Sequence, residues 1–140
     1  MSYYFAYGMN MDPEHMARLC PGMEPLGTGC LEGFRFAINR RGFATFLPDP
    51  GAAVHGVIWR LVPVHESRLD RFEGVDEGLY WRDFVPIRLA EGSLRQALTY
   101  RATDPEPGRP DPEYLEQIVR GARAFGLPET YLEELIRWRP

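Results

Sequence analysis

The segment Tyr7-Gly8-Met9-Asn10 has the residue types expected of a binding site for a small anion. The run before it, Tyr3–Tyr7, is apolar and aromatic, which is typical of a buried strand. Gly8 ends that run and would let the main chain approach a ligand closely. Asp12-Pro13-Glu14 then has the pattern of a helix N-terminus. Main-chain N–H groups in such a turn, beside the positive end of a helix, can bind a carboxylate. On its own, the pattern favours the plainer alternative, an ordinary N-terminal core strand.

Several other reaction chemistries lack their residues in this chain. All 16 basic residues are arginine, which excludes a Schiff-base lysine and a P-loop lysine. His15, His55 and His65 are scattered, so we expect no metal ion and no other cofactor. There is no G-x-S-x-G serine motif. Gly27-Thr28-Gly29 is followed three residues later by Glu32 and by a strand pattern, which argues against a dinucleotide loop.

Composition predicts one domain over residues 1–140, located in the cytoplasm. The hydrophobic content of 44% is enough for a core. The net charge of -4 argues against a partner that is a nucleic acid or an anionic membrane. The sequence has no 18-residue apolar run and no pattern of a signal peptide. Cys20 and Cys30 fit neither a redox motif nor a zinc site and are expected to be free thiols.

The N-terminal half alternates one helix with several short strands. A helix is predicted from Pro13 to about Cys20, with His15 as a solvated residue of its first turn. The segment Pro48–Gly51 has the composition of a turn. Val57, Trp59 and Leu61 are expected to share one face of their strand. Strands are predicted over Leu26–Leu31, Phe34–Asn39, Phe43–Leu47 and Val54–Val62.

The C-terminal half contains two longer strands and most of the helical residues. A short helix is predicted from Pro63 to about Phe72, with Leu69 and Phe72 facing inward. A loop over Thr103–Pro112 precedes a helix with an apolar stripe, and Pro128 begins a last helix. The strands span Tyr80–Leu89, where Pro86 indicates an edge or a bulge, and Leu94–Ala102, with Leu94, Leu98, Tyr100 and Ala102 on one face. The pattern therefore predicts an α+β protein with about six strands and three or four helices.

Three blocks of the sequence resemble the gamma-glutamylcyclotransferase family. Phe5–Met11 is similar to the family's N-terminal F-A-Y-G-S-N-L/M, and Leu69–Tyr80 is similar to its L-D-x-x-E-G-V-x-x-G-x-Y. Gly126–Leu132 resembles its C-terminal G-L-P-x-x-Y, and Gly42–Thr45 is similar to its G-x-A-T segment. The blocks occur in family order. The resemblance implies a small mixed β-barrel, closed or nearly closed, with peripheral helices and a pocket at one end.

The resemblance also implies one reaction. The α-amine of a gamma-glutamyl amide attacks its own γ-carbonyl, which releases 5-oxoproline and a free amine or amino acid. The nucleophile belongs to the substrate, so orientation does much of the work. The enzyme must still take a proton from the ammonium group and return one to the leaving amine, and one carboxylate can do both.

The residues of the implied site follow from the same motifs. Glu73 occupies the family's catalytic glutamate position; without the motif it would be one surface acid among several. Its base role would gain from a pKa raised by burial beside aromatic rings. Tyr80, Tyr100 and Tyr114 would each offer a ring face and a hydroxyl donor, and Tyr4 would close the base of the pocket. The glutamyl end would be held by Tyr7, Gly8, Met9 and Asn10.

Met9 stands where the family usually has serine. If that serine acts only through its main chain, Met9 is tolerable; if its hydroxyl touches the substrate, Met9 removes a donor. Two alternatives therefore remain beside the cyclotransferase: a binding or regulatory module without turnover, and an enzyme that trims a gamma-glutamyl group from a specialised metabolite. The expected partner is a small gamma-glutamyl compound in each case. The sequence leaves open the leaving group and the choice between monomer and homodimer.

Overall fold

A computed structural model describes residues 1–140 and contains five strands, four α-helices and one short 3₁₀ turn. The 3₁₀ turn spans Met9–Met11 and follows the first strand. The strands are β1 (Ser2–Ala6), β2 (Pro25–Ile38), β3 (Ala44–Leu61), β4 (Tyr80–Leu89) and β5 (Leu94–Ala102). The helices are α1 (Pro13–Leu19), α2 (Pro63–Phe72), α3 (Pro112–Ala124) and α4 (Glu129–Ile136).

The five strands close into a barrel in the order β1-β3-β2-β4-β5. Neighbouring strands are antiparallel except at the closure, where β1 runs parallel to β5 and Tyr4 pairs with Leu98. Closure removes the exposed sheet edges that an open sheet would carry. Strand β4 has a neighbour on each side and no bulge at Pro86, so it is not the predicted edge or bulged strand. Pro86 lies opposite Gln96 of β5 and outside the short region where β4 pairs with β2, so it is paired on one side only. The closed mixed barrel with four helices confirms the predicted α+β fold.

Two long strands replace four predicted short ones, so the structure has five strands where about six were expected. Glu32 pairs with Ala53 and Phe34 pairs with Pro48, so the four residues Asp49–Ala52 lie opposite Gly33 alone. This large bulge bends the β2–β3 pair without ending either strand. The prediction of a turn over Pro48–Gly51 was therefore wrong, because the proline and glycine signals mark an unpaired bulge in extended chain.

The segment Val57–Trp59 of strand β3 is buried on both faces, since Val57, Ile58 and Trp59 are all at most 3% exposed. Helices cover the outer face of the strand: Trp59 packs edge-on against Phe125 at 5.8 Å between ring centroids. The ring of His55 packs at a tilt against Tyr131, with 4.7 Å between ring centroids, in line with the structural role expected for it.

Helix α3 fixes the position of the 3₁₀ turn. A Cβ atom at Gly121 would lie 2.6 Å from the carbonyl carbon of Met11, so only glycine allows this approach. The predicted apolar stripe of α3 is confirmed, since Leu115, Ile118 and Ala122 are fully buried. The turn after Gly8 is thus held between β1 and a rigid helix.

Two side chains lie elsewhere than predicted. His15 is only 9% exposed, not solvated, because α1 packs its first turn against Phe72 at the end of α2, with 5.0 Å between the two rings. Phe72, predicted to face inward, is 42% exposed, whereas Leu69 is buried as predicted. None of the helices combines the length and the apolar character needed to cross a membrane.

Candidate functional site

One pocket at the end of the barrel collects all the residues singled out from the sequence. Its empty volume is about 720 Å³, which includes open solvent at the mouth. Strand β1 and the 3₁₀ turn supply one wall. The loop between β2 and β3, the segment from the end of α2 to the start of β4, strand β5 and helix α3 supply the others. The predicted residues that line it are Tyr4, Tyr7, Gly8, Met9, Asn10, Glu73, Tyr80, Tyr100 and Tyr114.

Glu73 reaches the pocket because α2 stops there. Its main-chain N–H donates to the carbonyl of Leu69 at 2.9 Å, which completes the last helical turn. Gly74 then takes a left-handed conformation, with φ of 69°, which ends the helix as a C-terminal glycine does. The pair Glu73-Gly74 therefore places the carboxyl group of Glu73 at the end of α2, at the mouth of the barrel.

The surroundings of Glu73 raise the pKa of its carboxyl group. Burial among the lining residues raises the pKa of Glu73 from 4.5 to about 7. The carbonyl dipoles at the C-terminal end of α2 also oppose a negative charge at this position. Near neutral pH the group is therefore present in both protonation states, as an acid–base catalyst requires.

Asn10 links Glu73 to two neighbours. Its Nδ2 donates to Oε1 of Glu73 at 3.3 Å and to the hydroxyl of Tyr4 at 2.9 Å. Its Oδ1 lies 2.9 Å from Nε2 of His15. When His15 carries its proton on Nε2, it donates to this oxygen, and Nδ2 of Asn10 then faces Glu73. Asn10 and Tyr4 are both 3% exposed, so this network is fixed in the core. Sequence reasoning missed His15, whose contact depends on the fold of α1 onto the 3₁₀ turn.

The 3₁₀ turn presents main-chain donors without protein acceptors. The N–H groups of Met11 and Asp12 donate to the carbonyls of Gly8 and Met9, but those of Gly8, Met9 and Asn10 donate to no protein atom. Three consecutive free N–H groups at a pocket wall can bind a carboxylate. The start of α1 does not share this role, because the side chain of Asp12 already caps it through Glu14 N at 3.1 Å.

Three of the pocket tyrosines use their hydroxyl protons inside the protein. Tyr7 donates to the carbonyl of Tyr100 at 2.5 Å, and Tyr80 donates to the carbonyl of Ala44 at 2.6 Å. Tyr100 donates to Oδ1 of Asp70 at 2.5 Å. The expectation of a hydroxyl donor at Tyr80 and Tyr100 is therefore not met in this conformation, and both offer ring faces.

Two other tyrosine hydroxyls keep a free proton. Tyr114 accepts from the N–H of Ala44 at 2.9 Å, and Tyr4 accepts from Asn10, so neither hydroxyl donates to a protein atom. Both hydroxyls therefore retain a proton that can be donated to a bound molecule.

Sequence reasoning also missed part of the lining. Asn39, Arg41, Phe43, Ala44, Phe72 and Leu79 complete it. Arg41 and Phe43 surround Gly42, which begins the segment similar to the family's G-x-A-T, so that match was the available signal. Glu73 and Arg41 are the two charged residues of the lining. No group of three His, Cys, Asp or Glu side chains is arranged to hold a metal ion.

Comparisons with known proteins agree with one another. Residues 53–135 match the AIG2-like family. The chain is 32% identical over 142 residues to "Gamma-glutamylcyclotransferase" of Mus musculus, covering 94% of this chain and 76% of that protein. Its identity to the Homo sapiens protein of the same name is 31%, with the same coverage of each. A solved structure named "Gamma-glutamyl cyclotransferase" superposes with a TM-score of 0.93 at 30% identity, covering 99% of this chain and 88% of the other.

Proposed function

Because this chain belongs to the AIG2-like family and to its gamma-glutamylcyclotransferases, we propose that it cyclises a gamma-glutamyl amide and releases 5-oxoproline with a free amine or amino acid. One observation in the structure carries the assignment of the site. The carboxyl group of Glu73, with a pKa of about 7, shares a pocket with the three free N–H groups of Gly8, Met9 and Asn10. A proton carrier and a carboxylate receptor are thus placed together, as the reaction needs.

The glutamyl end binds at the 3₁₀ turn. Its α-carboxylate accepts hydrogen bonds from the N–H groups of Gly8, Met9 and Asn10, which are ordered before the ligand arrives. The rings of Tyr80 and Tyr100 enclose the hydrocarbon part of the folded substrate, and the free hydroxyl proton of Tyr114 is available to the carbonyl oxygen. The substrate is held with its amine and its γ-carbonyl close to each other, near Glu73.

Glu73 moves one proton in each direction. It takes a proton from the α-ammonium group, and the resulting amine nitrogen attacks the γ-carbonyl carbon to form the ring. As the bond between that carbon and the amide nitrogen breaks, Glu73 returns a proton to the leaving nitrogen. The ring nitrogen then loses its second proton, which the released amine takes up as it becomes an ammonium ion. One carbon–nitrogen bond forms and one breaks, so bonds and protons balance. The amine, the γ-carbonyl and the carboxyl group of Glu73 are all organic groups, so the proposed reaction steps use no metal ion or other cofactor.

We place this reaction in a single domain, residues 1–140, working in the cytoplasm as a monomer or a homodimer. One continuous core of 32 buried residues, drawn from all five strands and all four helices, supports the single domain. Cys20 and Cys30 are free thiols, which suits a reducing compartment. The acidic balance argues against nucleic acid as a partner.

Met9 supports two other functions. A binding or regulatory module would keep the pocket without turnover, and a trimming enzyme would accept only a specialised gamma-glutamyl metabolite. Incubation of the protein with a panel of gamma-glutamyl amino acids, peptides and amines, with 5-oxoproline measured by mass spectrometry, separates the three. We expect release from several members of the panel. Binding of 5-oxoproline without release from any compound would overturn the cyclotransferase assignment.

A further inference from the structure

The loop between β2 and β3 holds a charged side chain at the pocket in a fixed frame. The N–H of Gly42 donates to the carbonyl of Asn39 at 2.8 Å, and Asn39 N donates to the carbonyl of Phe43 at 2.9 Å. Oδ1 of Asn39 accepts from the N–H groups of Arg41 and Phe43 at 3.1 and 3.2 Å. Asn39 is 2% exposed, so a buried amide fixes the main chain on which Arg41 sits.

The two neighbouring arginines of this loop differ in what they contact. Arg40 Nε donates to Oδ2 of Asp104 at 2.7 Å, so its guanidinium is paired outside the pocket. Arg41 lines the pocket, and its guanidinium makes no hydrogen bond and no ion pair with the protein. The main chain of Arg41 is thus fixed beside the pocket, and its guanidinium is free to bind an anion.

The guanidinium of Arg41 lies close enough to the pocket to act on its walls. Burial raises the pKa of Tyr80, and the positive charge of Arg41 opposes that rise. Tyr80 and Tyr114 both hydrogen-bond to the main chain of Ala44, three residues after Arg41, and Phe43 packs edge-on against Tyr114 at 5.6 Å. The loop therefore belongs to the same rigid wall as the two tyrosines.

The charges of the lining match those of one class of substrate. The free N–H groups at Gly8–Asn10 take one carboxylate, and Glu73 faces the ammonium group. Arg41 is then the remaining charged residue, and it is exposed at the mouth, where the leaving half of the substrate must extend. We infer that Arg41 binds the carboxylate of the leaving amino acid, so that the enzyme selects gamma-glutamyl amino acids and peptides over gamma-glutamyl amines.

This inference rests on the proposed function, and a binding measurement separates the two. The Glu73→Gln variant removes turnover while leaving Arg41 in place. Two ligands differ only in the group that Arg41 would bind. Gamma-glutamyl-alanine carries a carboxylate there, and gamma-glutamyl-alaninamide carries a neutral amide of the same size. Calorimetry on the Glu73→Gln variant should show that gamma-glutamyl-alanine binds about 10- to 100-fold more tightly than gamma-glutamyl-alaninamide, as expected for hydrogen bonds to a charged group.

Arg41→Met in the same background should reduce that ratio to about threefold or less, through weaker binding of gamma-glutamyl-alanine alone. Arg40→Met is the matched control, because it removes the neighbouring charge outside the pocket and should keep the ratio. Thermal melting of each variant checks the fold. An equal loss for both ligands, or an unchanged ratio, would overturn the inference. Absence of 5-oxoproline release by the unmodified protein would instead count against the proposed function, and the binding ratio would still report on Arg41.

Discussion

The pocket has a buried floor and an exposed rim, and the two differ in how their polar groups are used. The floor, which we define as Tyr4, Tyr7, Asn10, Glu73 and Tyr100, is tied together by hydrogen bonds to core atoms, and its four members other than Glu73 are at most 6% exposed.

The rim, defined as Arg41, Phe43 and Phe72, is exposed, and the guanidinium of Arg41 has no protein partner. In our proposal, the floor carries out the reaction chemistry and the rim determines the choice of substrate.

A variant of the floor should give the largest effect. Glu73→Gln keeps the size of the side chain and removes the proton carrier, so kcat for 5-oxoproline release should fall by about 1,000-fold or more. Circular dichroism should show an unchanged fold. Glu77→Gln, which changes an exposed acid four residues later, is the control and should retain activity. A folded Glu73→Gln variant with full activity would remove the distinction between floor and rim.

The same substitution should also affect stability, and only at higher pH. The pKa of Glu73 is raised from 4.5 to about 7 in the folded protein, so the wild type loses stability as pH rises between those values. Glu73→Gln escapes that loss and should be more stable than wild type by about 2 to 3 kcal/mol at about pH 8, with little difference near pH 4.5. Denaturant unfolding at the two pH values measures the difference. Equal stability of the two proteins at about pH 8 would mean that the pocket does not disfavour the charged form of Glu73.

A change at the boundary between floor and rim should have the smallest effect. Met9 lies in the 3₁₀ turn, and its free main-chain N–H supplies the contact to the substrate in our account. Met9→Ser should therefore change kcat/KM for gamma-glutamyl-alanine by about threefold or less. Steady-state kinetics decides the question. A gain of about tenfold would show that a side-chain hydroxyl at this position contacts the substrate.

Local signals were enough to predict most elements and the members of the floor. Strands β4 and β5 and helix α2 begin and end where the sequence places them, because turns and prolines bound each one. The members of the floor were predicted from sequence motifs, since in the pair Glu73-Gly74 and in the segment Tyr7–Asn10 the residues proposed to act together are adjacent in the chain. The roles of these residues stay predictions, whereas their meeting in one pocket is confirmed.

Features that depend on pairing between distant segments were not predictable. The bulge opposite Gly33 exists because two registers of β2 and β3 meet there, and no local pattern separates it from a turn. His15 is buried by the packing of α1 against α2, and Arg41 reaches the pocket because Asn39 anchors its loop. The hydroxyl partners of Tyr80 and Tyr100 likewise come from segments 36 and 30 residues away.

The pH dependence of 5-oxoproline release tests most directly the claim that Glu73 carries the proton. For gamma-glutamyl-alanine, kcat/KM should rise with pH up to about 7, the pKa of Glu73, and then level off before the substrate ammonium group titrates. A rate that instead increases about tenfold per pH unit from about 6 to 9 would contradict the account, because it would show that the free amine of the substrate reacts without help from this carboxyl group.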